Sequence, residues 1–192
     1  MVTKFSLAAL FLLGSGFVLF RYLVRNDYLK KGKLSPVSAT LEFVFFALHA
    51  NSMYLFIPVK WPNLPPLAKT TLLYYPSLFL IILGLVVVFI AMIPLGYNRT
   101  MGLKSKNLKT NGLYKFTRNP QLIGYYMLLI GFAFSYPSFY SAGWIIIFGI
   151  ITHLMVITEE EYLLKIYGEK YKHYCKHVPR YLVVKKGSPI LV

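Results

Sequence analysis

Residues 109–124, KTNGLYKFTRNPQLIG, form a polar, cation-rich segment set directly between two strongly apolar blocks. The segment closes on Arg118-Asn119-Pro120 as the chain re-enters apolar sequence, which places polar chemistry at a membrane boundary. A second polar block, residues 158–180, follows the next apolar stretch and opens on Glu159-Glu160-Glu161, the chain's one cluster of carboxylates. The two blocks are expected to fold together at one face of a bilayer and to bind a charged cofactor there.

Composition supports the membrane setting. The chain has 192 residues, 57% of them hydrophobic and 17% aromatic, with a mean hydropathy of +0.57. That is too apolar for an ordinary soluble domain and too short for several membrane domains, so a single domain over 1–192 is expected. A net charge of +15 would suit a nucleic-acid partner. The Lys and Arg residues, however, cluster in short segments between apolar runs rather than on one soluble face, so nucleic acid is not expected and the lipid bilayer is. Cys175 has no second cysteine to pair with and reads as a packed or half-exposed thiol.

Outward from the opening stretch, the apolar runs give an all-α integral membrane protein with about five transmembrane helices. Residues 5–20, with flanks to 23, make the first span, about 28 Å long as a helix. Lys4 resembles the start of a signal peptide, but no small-x-small site follows and Arg21 and Arg25 come at once, so retention is expected. A basic loop over 25–36 leads to a second span at 38–58, interrupted by Glu42, His49 and Asn51. For Glu42 a place near the headgroups, and for His49 a hydrogen bond to a neighbouring helix, are preferred to a cavity-lining role. Pro58, Trp61, Pro62, Pro65 and Pro66 make 59–71 an irregular connection, and 72–95 is the third and most apolar span. The N-terminal part, 1–96, thus holds three spans.

The remainder, 97–192, holds the basic loop over 97–119, a helical hairpin of two spans at 122–134 and 141–157, and a C-terminal helix. Basic segments at 25–36, 97–119 and 165–186 all fall on one side, which puts the C-terminus inside and the N-terminus outside. The apolar positions 163, 167, 171 and 174 recur at helical spacing and predict a cytosolic amphipathic helix, which Gly168 weakens or breaks and Pro179 ends. An amphipathic helix on anionic lipid explains the tyrosines and lysines, but a positive-inside tail gains nothing from three successive glutamates. His173, Cys175 and His177 alternate, a spacing that splays them over different faces of a helix, so no metal is expected.

Two patterns carry a resemblance. Gly112-x-Tyr114-x3-Arg118-Asn119-Pro120-x3-Gly124 is followed by His153-x2-Val156-x2-Glu159-Glu160-x2-Leu163-x4-Gly168-x2-Tyr171-x2-Tyr174-x3-Val178-Pro179-Arg180. In order and spacing this resembles the integral membrane methyltransferases of the isoprenylcysteine carboxyl methyltransferase family, over residues 95–182. The resemblance implies an S-adenosylmethionine-dependent enzyme whose cofactor lies in a cytosolic pocket and whose lipophilic or lipidated substrate comes from the bilayer. It implies cofactor contacts from Gly112, Leu113, Tyr114, Asn119, Pro120, Glu159, Glu160 and Tyr171, and an acceptor-orienting role for Arg118. Asn119 stands where many members have histidine, Leu122 replaces a frequent tyrosine, and Val183 a frequent proline. Asparagine cannot titrate as a base, so the hydrogen bonds that pocket offers are altered.

The chemistry of the residues agrees. A sulfonium, an amino-acid head and a ribose diol need carboxylates for cations and hydroxyls, and a cation or backbone donors for the carboxylate. Glu159 and Glu160 supply the former. His153 lies seven residues before Glu160 and shares its helix face. A carboxylate acceptor is already ionised at neutral pH and needs only an orienting cation, Arg118. An amine acceptor arrives protonated and needs a base, for which Glu160 or His153 would serve. The arginine beside the proline points to a carboxylate on a lipophilic molecule; phospholipid N-methylation and a non-catalytic membrane protein are the alternatives. No obligate protein partner is expected, and the sequence leaves the acceptor's identity and the oligomeric state open.

Overall fold

A computed structural model of the chain describes residues 1–63, 65–67, 72–93 and 108–182. All regular structure among them is helical. The basic residues Arg99, Lys104 and Lys106, the helix-ending Pro94 and Gly96, and Val183 lie outside the described residues.

The first helix, α1 (Val2–Val18), does not stop where the apolar run stops. It continues through π-helical turns at Leu19–Val24 and Asp27–Lys31, an unbroken rod of 30 residues, and ends where Gly32 takes a left-handed φ of 67°. Most of the expected loop at 25–36 is therefore helix. The reason is long-range pairing: Arg21 and Arg25 both reach the Glu161 carboxylate, at 2.8 and 2.5 Å. Lys31 pairs with Asp27 at 2.6 Å one turn away, and Tyr28 stacks on Tyr162 with ring centroids 4.5 Å apart.

Helix α2 (Pro36–Asn51) starts on a Ser35 cap with proline at its first position. The Asp27 carboxylate secures that start, accepting from the Ser35 backbone at 3.0 Å, the Ser38 hydroxyl at 2.6 Å and the Ser35 hydroxyl. Further along α2, His49 is buried: its Nε2 lies 3.1 Å from the Trp144 carbonyl while Trp144 Nε1 donates to the His49 carbonyl at 2.9 Å. The preferred reading of His49, bonded to a neighbouring helix, is what the fold contains.

Helix α3 (Tyr74–Met92) and α4 (Pro120–Ser135) run antiparallel in the tightest packing of the fold. Small residues make this possible: a Cβ built on Gly84 would lie 2.6 Å from the Gly124 carbonyl oxygen, and one on Gly131 2.9 Å from that of Ser77. Ser77 locks the seam, donating to the Gly131 carbonyl at 2.7 Å and meeting the Ser135 hydroxyl at 2.7 Å. A tight connection with a reciprocal Ser138–Ser141 capping box leads into α5 (Phe139–Tyr167). This helix runs past 157, so Glu159, Glu160 and Glu161 lie on it rather than in a tail. Gly168, at φ +51°, breaks the chain direction before α6 (Glu169–His177), resolving the two readings of that glycine.

Three helical stretches, Val2–Lys31, Tyr74–Met92 and Phe139–Tyr167, are long and apolar enough to cross a membrane. Their outward faces carry Leu7, Leu10, Phe11, Phe79, Phe89 and Ile146, all exposed, the pattern of helices solvated by lipid rather than water. The chain is a membrane protein. Helices α2 and α4, at 16 residues each, extend only about 24 Å, so three of the five expected spans reach full length among the described residues.

Candidate functional site

Successive residues on a helix point about 100° apart, and the three glutamates of α5 diverge accordingly. Glu161 turns to α1 and is taken up by Arg21 and Arg25. Glu160 turns to the connection before α4 and to the chain beyond α6. Its Oε1 lies 2.8 Å from Arg118 Nη1, and Arg180 binds both oxygens, Nε at 3.0 and 3.1 Å and Nη2 at 2.6 Å. Glu159, half-buried, makes no hydrogen bond or ion pair among the described residues.

The Glu160 junction is built by backbone pairing of two remote segments. Arg118 N donates to the Pro179 carbonyl at 2.9 Å, and the Arg180 carbonyl accepts from Asn119 Nδ2 at 3.1 Å and Thr117 Oγ1 at 3.3 Å. Asn119 is thus the residue that ties α4 to the segment after α6. Pro120 opens α4, where its missing N–H costs nothing, and is buried. Gly112 has φ 63° and starts a short 3-10 turn, Gly112–Lys115. Within it the Leu113 carbonyl accepts from Phe116 N and Thr117 N. Tyr114 is buried; its hydroxyl reaches the Ala91 carbonyl at 3.4 Å and Gln121 Oε1 at 3.3 Å, and its carbonyl accepts from the Tyr174 hydroxyl at 2.6 Å. Gly112, Leu113 and Tyr114 therefore shape the connection that delivers Arg118.

Arg118 is nearly enclosed. Its Nη1 also donates to Cys175 Sγ at 2.8 Å, while its buried Nε has no hydrogen-bond acceptor among the described residues. Tyr171, buried beside it, has its phenol pushed far above the ordinary range by burial and by the Glu160 charge, so it remains protonated. The hydrogen bonds to Glu160 push the Arg180 guanidinium up and fix its charge. A neutral phenol, two guanidinium groups and one carboxylate share this small region, a polar junction at the polar end of α5.

Adjacent to it lies a cleft of about 770 Å³ between α4 and α5, within the roughly 300–1,000 Å³ of small-molecule sites. Leu122, Ile123, Tyr126, Met127, Ile130, Ile146, Gly149 and Ile150 line it, and among the described residues no Lys, Arg, Asp or Glu does. Gly149 leaves room for Tyr126, whose hydroxyl would lie 2.7 Å from a Cβ at that position. At its polar end His153 Nδ1 meets the Tyr181 hydroxyl at 3.0 Å. Tyr181 follows Arg180 directly, so one short segment links His153 and Glu160, which the sequence placed on one helix face.

The sequence profile of the phospholipid methyltransferase family matches residues 72–170, more than half of the chain. The chain belongs to the phospholipid methyltransferase family. It is also 27% identical over 138 residues to the Protein-S-isoprenylcysteine O-methyltransferase of Dictyostelium discoideum, an alignment covering 62% of this chain and 53% of the relative. The chain thus matches about half of that relative's length. No solved structure matches.

Arg180, Cys175 and Tyr181 were not among the expected site residues. For Arg180 a signal existed in the Val178-Pro179-Arg180 triplet. For Cys175 and Tyr181 none did, since their roles come from where α6 folds back.

Proposed function

We propose that this methyltransferase uses S-adenosylmethionine to methylate a lipophilic acceptor that enters from the bilayer through the cleft between α4 and α5. The observation that carries the reading is a cleft lined by apolar residues whose polar end is formed by His153 and Tyr181, the residue that directly follows Arg180 of the Arg118–Glu160–Arg180 junction. A lipid tail finds no charge to desolvate along that path, and its polar head arrives where charges are held. When bound, the cofactor supplies a methyl carbon on a sulfonium for in-line displacement by the acceptor.

The residues present fit such a cofactor. Glu159 is a carboxylate with free acceptor positions, suited to an ammonium, a sulfonium or ribose hydroxyls. Arg118 Nε is a buried donor without an acceptor among the described residues, suited to the carboxylate of a methyl acceptor. Asn119, Pro120, Tyr114, Gly112 and Leu113 hold that arginine in place, and Tyr171 with Glu160 closes its other side. The protein contributes alignment and exclusion of water. With a carboxylate acceptor, Arg118 orients the attacking oxygen and no base is required. Kinship with an isoprenylcysteine O-methyltransferase supports this class.

A second reading, methylation of a phospholipid amine, is favoured by the unpaired Glu159, which attracts an ammonium; His153 would then take the proton that the amine must lose, because both Glu160 oxygens are held by guanidinium groups. The basic residues of α6, Lys170, Lys172 and Lys176, support a cytoplasmic site and C-terminus with the N-terminus outside, in a single domain over 1–192. The test is incubation of the protein in nanodiscs with cofactor bearing a tritiated methyl, offered a farnesylated cysteine or phosphatidylethanolamine. Alkali-labile label released as methanol is the expected result and marks an ester. Alkali-stable label on the phospholipid establishes the amine reading, and label on neither acceptor contradicts both.

A further inference from the structure

Among the described residues, the cleft between α4 and α5 is lined by three polar side chains, Tyr126, His153 and Tyr181. The first two stand on the helices, and Tyr181 comes from the segment after α6, which crosses the polar end of the cleft like a strap. On the α4 side that strap is held by its backbone: the Pro179 carbonyl accepts from Arg118 N at 2.9 Å, and the Arg180 carbonyl from Asn119 Nδ2 at 3.1 Å. On the α5 side Arg180 Nη2 binds Glu160 at 2.6 Å, and the Tyr181 hydroxyl meets His153 Nδ1 at 3.0 Å. The Tyr181 ring packs against the cluster of Leu122, Phe148 and Val156, so the hydroxyl is held in position where cleft and junction meet.

A neutral imidazole and a phenol carry two polar hydrogens between them. One makes the His153–Tyr181 hydrogen bond, whichever ring nitrogen bears the hydrogen, and the other is left as a donor for a third group. The Tyr126 hydroxyl makes no hydrogen bond among the described residues. It lies over Gly149, 2.7 Å from where a Cβ would stand. Gly149 and His153 share a face of α5 one turn apart, which is about 6 Å along the axis. Two hydrogen bonds of about 2.8 Å each cover that separation with one oxygen between them. An oxygen set between Tyr126 and the His153–Tyr181 pair therefore has a donor on either side.

Beyond Tyr126 the lining turns apolar, with Met127, Ile130, Ile146 and Ile150. From Leu122 to Ile130 the cleft follows α4 for about 12 Å, close to the roughly 15 Å of half a bilayer's hydrocarbon core. A tail from one leaflet thus fills the cleft and brings its head to the three polar groups.

We propose that Tyr126 and Tyr181 are specificity-determining residues: with His153 they bracket the polar head of the acceptor and donate to its carbonyl or carboxylate oxygen. The inference rests on the methyltransferase reading for the acceptor's presence in the cleft, and it narrows that reading. A chain that ends without such an oxygen fills the cleft but is not retained at the junction.

The test titrates wild type, Tyr126→Phe and Tyr181→Phe in nanodiscs, with empty nanodiscs as the blank. The ligands are N-acetyl-S-farnesylcysteine, ethyl farnesyl sulfide, which keeps the tail and lacks the oxygens, and S-adenosylhomocysteine. Wild type is expected to bind the carboxyl compound at least about tenfold more tightly than the sulfide. Each Phe variant is expected to lose about tenfold for the carboxyl compound, the scale of one hydrogen bond to a charged group, with its affinities for the sulfide and for S-adenosylhomocysteine unchanged. Wild-type affinity for the carboxyl compound in either variant overturns the bracket and leaves the methyltransferase reading standing. Equal losses for the carboxyl compound and the sulfide make the phenols packing groups and also overturn it. If wild type takes up neither farnesyl compound the inference fails; bound S-adenosylhomocysteine then preserves the enzyme reading, and its absence removes that reading too.

Discussion

Glu159, Glu160 and Glu161 are neighbours in sequence with three different physical fates. Glu160 is locked between two guanidinium groups, and removing it leaves Arg118 and Arg180 facing each other with little solvent. Breaking a buried pair of this kind costs about 3–5 kcal/mol, so Glu160→Ala is expected to lower the thermal midpoint in detergent sharply. Glu159→Gln removes a charge that has no partner among the described residues, so its stability should stay within about 0.5 kcal/mol of wild type or rise, while cofactor affinity falls. The reverse order of stabilities would contradict these placements. For Arg118→Ala, turnover is expected to fall about 100-fold, the scale of a misplaced reacting group, with a smaller change in cofactor affinity. Equal loss of both would make Arg118 a cofactor ligand instead. The sequence singled out these glutamates because carboxylates are so scarce in the chain. It could not say which of them is free, because that depends on Arg21, Arg25 and Arg180, brought in from far along the chain.

Among the elements, the α3–α4 pair depends on the absence of side chains. At Gly124 a Cβ would lie 2.7 Å from the Gly84 carbonyl oxygen and 2.9 Å from Val88 N, backbone atoms that cannot move aside. Gly124→Val is expected to destabilise the protein by at least the roughly 1–3 kcal/mol of an overpacked core. Gly14→Ala, with nothing within 4 Å of the new methyl, should be neutral or slightly stabilising; a differential thermal scan of the two variants checks both. The apolar runs made the positions of α1, α3, α4 and α5 legible in sequence. Their ends were not: α1 and α5 both persist past their apolar runs where Arg21 and Arg25 of α1 meet Glu161 of α5, and Asp27 is held by Lys31, Ser35 and Ser38. Gly168 showed where the chain would weaken, but only its positive φ decided between a flexible helix and two separate ones.

At the scale of the molecule, the bundle places a lipid-facing cleft beside a closed polar junction. Gly149 keeps the cleft open, and Gly149→Leu is expected to raise KM for a lipophilic acceptor about tenfold or more while leaving cofactor affinity unchanged. An equal loss in both would place the cofactor in the cleft. The family was legible in the spacing of residues 112–180, since that spacing reflects two segments that must meet at the end of α5. The most direct test of the account is calorimetric titration of S-adenosylhomocysteine into the wild-type protein in nanodiscs, with NADPH as the parallel ligand. Saturable binding of S-adenosylhomocysteine alone is the predicted result. Folded protein that takes up NADPH, or neither ligand, would contradict the account.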